Sequence, residues 1–146
     1  VLQSAVNRRS IKIAGILFVV LGILDAIAPF FPMHTRDHIQ QAGRSFADVL
    51  HIIVTIATVL IILTIIGFGS KASGKTFRFY SYGTIIIMLL CGVWASMDAP
   101  QMEANLPTPW LGIKERMNIY SYMVWVISFS VLLLTSTRTE QSKSLG

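Results

Sequence analysis

The chain is 146 residues long, 53% hydrophobic and only 13% charged. Its mean hydropathy is +0.65, far from a water-soluble domain in which roughly one residue in four is charged. The single cysteine, Cys91, excludes an intrachain disulfide and any Cys-Cys metal site. A formal charge of +5 would suit nucleic acid, but the cations are placed as membrane topology places them, so no nucleic-acid partner is expected.

The first apolar run, residues 13–31, reads I-A-G-I-L-F-V-V-L-G-I-L-D-A-I-A-P-F-F. It is about as long as a helix must be to cross a bilayer. One acid, Asp25, stands in it, roughly 9 Å short of the far end at 1.5 Å per residue. About a dozen strongly apolar residues at roughly −0.5 kcal/mol each outweigh one Asp at about +3 kcal/mol, so the run inserts. It is too long for a signal peptide, lacks an A-x-A-like cleavage site, and is followed by three similar runs. The chain opens on Val1 rather than Met, and further spans upstream are expected.

Pro29 and Pro32 end the first helix, and a short polar loop follows, H-T-R-D-H-I-Q-Q-A-G-R-S. The second span covers 49–68, and Asp48, His51, Thr55 and Thr58 form one polar stripe running down it. Residues 79–97 make the third span. The loop from Asp98 to Arg116 holds three prolines and Trp110, which suggests a stiff hairpin lying along the membrane surface. The fourth span covers 117–136, and the polar tail, 137–146, is expected to be disordered and cytoplasmic.

These runs predict an all-α fold. It is a single transmembrane domain over 1–146, a four-helix antiparallel bundle that forms part of a larger one or of a homo-oligomer. Small or weakly polar faces are expected to point inward: Gly15, Gly22, Asp25 and Pro29 on the first helix, Thr84, Met88, Cys91, Ala95 and Asp98 on the third, and Ser121, Trp125, Ser128 and Thr135 on the fourth.

Arg8, Arg9, Lys12, Lys71, Lys75, Arg78, Arg138 and Lys143 share one side of this topology, leaving Arg36, Arg44, Lys114 and Arg116 on the other. The second side also carries Asp25, Asp37, Asp48, Asp98, Glu103, Glu115 and all three histidines. By the positive-inside rule both termini are cytoplasmic, the membrane is the plasma membrane, and the acid-and-histidine side faces outward. Membrane lipid is the expected partner of the whole surface.

Gly69 to Thr76, G-S-K-A-S-G-K-T, matches the phosphate-binding pattern G-x-x-x-x-G-K-[ST]. That chemistry needs a strand before the loop and a separate acid to organise Mg²⁺. Here a span lies on either side, so the segment reads as a short turn with two topology-setting lysines, and no nucleotide is expected.

The ionisable residues near the outer rim are the candidate site: Asp25, His34, Asp48, His51, Asp98, Glu115 and Arg116. Such groups in a membrane protein turn away from hydrocarbon and toward one another. The leading reading is a polar cluster of structural or ligand-binding character, with no cofactor. One alternative is a metal-dependent hydrolase acting on lipid, in which His34, His38, His51 and Asp48 hold Zn²⁺ that activates a water. A second is a proton-coupled transporter using Asp25 and His51, although the deeper half of the bundle carries no charge to relay protons. Asp98 is placed to pair with Arg116 across the hairpin, and Arg116 could grip an anionic headgroup.

F-P-M-H ahead of a D-x-x-H helix start, and T-P-W-L-G-I-K-E-R-M-N-I-Y-S-Y-M-V-W from Thr108 to Trp125, resemble the bacterial and archaeal membrane family known as domain of unknown function 998. The resemblance covers nearly the whole chain, and G-x-x-E-R is its most specific part. It implies a multi-pass helical protein of which this chain is the C-terminal portion. The family's polar signature corresponds here to Asp25, His34, Asp48, His51, Glu115 and Arg116, and the resemblance implies no activity.

Overall fold

A computed structural model describes residues 8–144, apart from the side chains of Gln40 and of residues 137–144. The helices are α1 (Arg8–Ile27), α2 (Arg36–Ala42), α3 (Phe46–Gly69), α4 (Lys75–Ser96), α5 (Ala99–Glu103) and α6 (Leu111–Ser144). Short 3-10 turns, Ala28–Phe30 and Ser70–Ala72, follow α1 and α3. Four helical stretches are long and apolar enough to cross a membrane: Arg8–Phe30, Phe46–Ala72, Lys75–Glu103 and Leu111–Ser136. The protein is an all-α polytopic membrane bundle, and the two short helices α2 and α5 lie together at one end of it. That end is called the cap end below.

The helices run up and down in chain order. α1 packs chiefly on α3 and α4 on α6, with a lighter seam between α3 and α4. Phe18 of α1 stacks on Phe129 of α6, with ring centroids 6.5 Å apart, which brings α1 back against α6. The bundle is thin: only 11% of the most apolar stretch in three of the spans, and 22% in the third, is buried. Most of the apolar side chains therefore face outward, where in lipid they cost nothing.

The core sits toward the end opposite the cap. Trp125 is fully buried (0% exposed) and stacks on Phe129 at 5.0 Å. Its ring also lies 6.1 Å from that of Phe77 on α4. The indole Nε1–H donates to Ser81 Oγ at 2.9 Å, while Ser81 in turn donates to the carbonyl of Phe77 at 2.8 Å. Away from water an unpaired indole N–H would be costly, so this relay fixes the ring as well as burying it.

The indole rests on Gly69, the first residue of the G-x-x-x-x-G-K-T stretch. A Cβ there would lie 2.6 and 2.8 Å from two carbons of the Trp125 ring. That glycine has a packing role in the chain's own core, which the phosphate-loop pattern does not require. The stretch is a 3-10 turn running into α4, with Ser70 and Ala72 buried under the bundle.

Several expectations are corrected. The face of α1 bearing Gly15, Gly22, Asp25 and Pro29 is exposed, and the helix buries Ser10, Ala14 and Leu21 instead. Thr55, on the polar stripe of α3, and Thr135, on the α6 face read as inward, are also exposed. Their hydroxyls donate to carbonyls of their own helices, Thr55 to His51 at 2.8 Å and Thr135 to Val131 at 3.0 Å. A hydroxyl satisfied on its own helix has no need of a protein neighbour, so it says little about which face points inward. The α4 face of Thr84, Met88 and Cys91 is buried as its composition predicts.

The helix that carries the fourth span, expected over 117–136, begins at Leu111. Residues 137–144, expected to be disordered, continue α6 as helix; the segment holds Arg, Glu, Gln and Lys and no helix breaker. At roughly 51 Å the helix outruns a bilayer core of about 30 Å and projects beyond it.

Gly69→Ala is expected to destabilise the bundle by about 1–3 kcal/mol through overpacking against the rigid indole. Gly67→Ala, where a Cβ would meet nothing within 4 Å, is the control and should be neutral. Thermal unfolding of both variants in the same detergent measures the contrast, and equal effects would refute the role of the Gly69 contact.

Candidate functional site

The cap is fastened by one carboxylate. Ser45 caps α3: its Oγ accepts from the Asp48 amide at 3.3 Å, while Asp48 Oδ2 accepts from the Ser45 amide at 2.7 Å. This reciprocal pair is a capping box with Asp in the third helical position. Asp48 also accepts from Ser45 Oγ at 2.8 Å, and its Oδ1 accepts from the backbone N–H of His34 at 2.8 Å. His34 Nδ1 lies 3.0 Å from Oδ1 and 3.2 Å from Oδ2, a contact that the Nδ1–H tautomer or the imidazolium makes favourable. The carboxylate is fully buried (0% exposed), and both of its oxygens are occupied.

Its negative charge also sits in the first turn of α3, where the helix dipole favours it. His51, one turn further along, bonds through Nδ1 to the carbonyl of Phe31 at 2.9 Å. These bonds strap residues 31–34 to α3. His38 stacks on His34 with centroids 4.6 Å apart. Gly43 then closes α2 with φ of +77°, a conformation that suits glycine, and its N–H bonds to the Ile39 carbonyl at 2.8 Å.

A second polar group holds α4 to α6. Lys114 Nζ donates to both oxygens of Asp98, at 2.9 and 2.8 Å, and stands 5.0 Å from the centre of the Trp94 ring. Both charged residues are buried. The partner of Asp98 is thus Lys114 and not Arg116. The reason is helical geometry: Lys114 faces α4, whereas Arg116, two residues on, is turned roughly 200° away.

Hydrogen bonds and an ion pair then join α2 to the hairpin that carries α5. Arg36 donates to the Leu106 carbonyl at 3.2 Å and to Thr108 Oγ1 at 2.6 Å. Arg44 pairs with Glu103 at 2.9 Å, and Asn105 donates to Asp37 at 3.3 Å. Between α2 and α5 lies a cleft of about 250 Å³. Met33, Ile39 and Met102 give it an apolar lining, and Arg36, Arg44 and Glu103 give it charge.

The single convergent cluster expected from the sequence therefore divides. His34 and Asp48 meet, His51 stands one turn below them on a different partner, and Asp98 belongs to the α4–α6 pair. Asp25, Glu115 and Arg116 are exposed, and among the described residues none of them has a hydrogen-bond or ion-pair partner. Asp25 lies within electrostatic range of Tyr122 on α6. Among the described residues no three of His, Cys, Asp and Glu stand together as metal ligands would.

Residues absent from the expected set complete the arrangement. Ser45 was legible as the first residue of an S-x-x-D capping box. Lys114, Arg36 and Arg44 were readable as cations on the acidic side, but their partners are 16 to 72 positions away in sequence or in the backbone of the hairpin.

Asp48→Ala removes the acceptor for two backbone N–H groups, an imidazole and a hydroxyl, and is expected to lower the thermal midpoint in detergent by several degrees or more. Asp25→Asn removes an exposed charge that has no hydrogen-bond or ion-pair partner among the described residues and should be neutral or stabilising. The reverse order of effects would count against the assignment of Asp48 as the fastening.

Neither a curated protein nor a solved structure matches the chain. The profile of a family described as Protein of unknown function (DUF998) matches residues 1–132, which take in all four spans up to the last turn of the fourth together with the whole cap. The chain therefore belongs to the DUF998 family.

Proposed function

We propose that the protein is a ligand-binding membrane bundle. On this reading its functional surface is the cleft between α2 and α5, with the His34–Ser45–Asp48 group as the fastening that holds the cleft in shape. The observation that carries it is that Arg36, held by neutral acceptors, and Arg44, paired with Glu103, leave the cleft with two cations to one acid beside an apolar lining of Met33, Ile39 and Met102. Guanidinium groups suit phosphate or carboxylate, and the methionines and isoleucine suit the first carbons of a chain attached to it. The ligand class is an anionic amphiphile such as a lipid headgroup.

The four bonds that meet on Asp48 support a fastening role for that carboxylate: both of its oxygens are filled, so it has no lone pair left for a water. His34, which faces it through Nδ1–H, keeps the lone pair of Nε2. The charge distribution supports an orientation in which the cap faces away from the cytoplasm and both ends of the chain face it.

Orientation is tested by labelling. In a Cys91→Ala background, a membrane-impermeant maleimide applied to intact cells should label Gln101→Cys in the cap and leave Ser73→Cys in the α3–α4 turn unlabelled until the cells are opened. The opposite pattern would invert the topology. Ligand binding is tested with purified protein and short-chain phosphatidic acid as probe. Arg44→Ala should weaken binding by roughly tenfold, equivalent to about 1.4 kcal/mol, whereas Arg116→Ala, outside the cleft, should leave it unchanged. Equal weakening by both, or equal binding of short-chain phosphatidylcholine, would refute the cleft as an anion site.

A further inference from the structure

A second concavity lies within the membrane-spanning part and has a different chemistry. Val59 and Leu63 of α3, Met88, Gly92 and Ser96 of α4, and Asn118 of α6 line a groove of about 260 Å³ at the α3–α4 seam. Its lining carries no charged side chain. One turn nearer the cap, the cation of Lys114 is already committed to Asp98. Asn118 stands seven residues into α6, roughly 10 Å below its first residue.

Asn118 is the anomaly. Its Oδ1 is buried and, among the described residues, has no hydrogen-bond partner. Thr84 and Ser96 are satisfied on their own helices and Trp125 across the bundle. An amide oxygen left unpaired in apolar surroundings costs on the order of a hydrogen bond or more, and a lipid environment offers no water to relieve it. The amide stands against Gly92, where even a Cβ would lie 3.8 Å from Asn118 Nδ2. Gly92 thus leaves the groove open beside the one polar side chain in it whose hydrogen bonding is incomplete.

We propose that this groove binds a neutral lipid whose polar group is a hydroxyl, such as a diacylglycerol or a long-chain alcohol, with the hydroxyl on Asn118 and the chain along α3 and α4. A hydroxyl both donates and accepts, so it can serve either end of the amide as the side chain turns about its terminal bond. Ser96 supplies a further acceptor at the groove, since its own proton is given to the Val93 carbonyl at 2.7 Å. A phosphate-bearing headgroup is disfavoured because nothing there carries a free positive charge. The groove falls below the roughly 300–1,000 Å³ of pockets that enclose whole small molecules, and it suits a chain segment with the remainder in the bilayer.

The experiment uses the full chain in phosphatidylcholine vesicles with a photoactivatable diacylglycerol. Cross-linking should fall on peptides containing residues 88–96 or 118, and unlabelled diacylglycerol should compete at least tenfold better than phosphatidic acid. Asn118→Leu, which keeps the volume and removes the amide, should lower labelling at least fivefold. Gly92→Phe, which fills the groove and leaves Asn118 intact, should do the same, with circular dichroism confirming helix content in both. Labelling unchanged in both folded variants, or phosphatidic acid competing equally well, would overturn the proposal. If either variant fails to fold, the map of cross-linked peptides and the competition series in the unaltered protein decide the matter.

Discussion

The cap exists because the Asp48 carboxylate can be buried without being left unpaired. Four donors from two separate segments meet on its two oxygens, and each segment is fixed by doing so: residues 31–34 are drawn onto the start of α3, and Ser45 sets where that helix begins. A carboxylate sealed from water without such partners would be strongly disfavoured. With them it fixes the chain where α1 hands over to α3, and the orientation of α2 follows. The two sides of the cleft between α2 and α5 are joined by the bonds of Arg36, Arg44 and Asn105.

The two ends of the bundle are held by different physics. Toward the α3–α4 turn, Trp125, Phe129 and Phe77 form an aromatic core that fits only because Gly69 offers no side chain. Toward the cap, ion pairs and capping bonds replace packing, with Lys114 and Asp98 buried between α4 and α6. Ridge-to-groove contact between apolar helices is cheap to exchange for lipid contact, so it specifies geometry weakly in a bilayer. A buried indole on one glycine, and a buried ion pair with a fixed partner, specify it far more tightly.

The two concavities divide along the same line. The cleft at the cap has guanidinium groups above apolar side chains and lies where headgroups and water are available. The groove at the α3–α4 seam has an amide and a hydroxyl among aliphatic side chains and lies where only hydrocarbon or a lipid chain can reach. On the proposed readings, charge would select the ligand class at the first, and the lack of it at the second.

Hydropathy alone determined that this is a four-span helical membrane protein, because roughly twenty consecutive apolar residues leave a chain few alternatives in lipid. The turn character of the Gly69–Thr76 stretch and the inward face of Thr84, Met88 and Cys91 were legible for similar local reasons. Partnership was not. Asp25 and Asp48 look equally conspicuous in the sequence, yet among the described residues one is exposed without a hydrogen-bond or ion-pair partner and the other has both oxygens filled, since helix rotation and distant donors decide burial. Asp98 chose Lys114 over Arg116 by a rotation of α6 that no spacing within the hairpin records. Hydroxyl stripes misled because a serine or threonine in lipid can satisfy itself on its own helix. Only the folded chain could show which polar groups had found company, and that Asn118 had not.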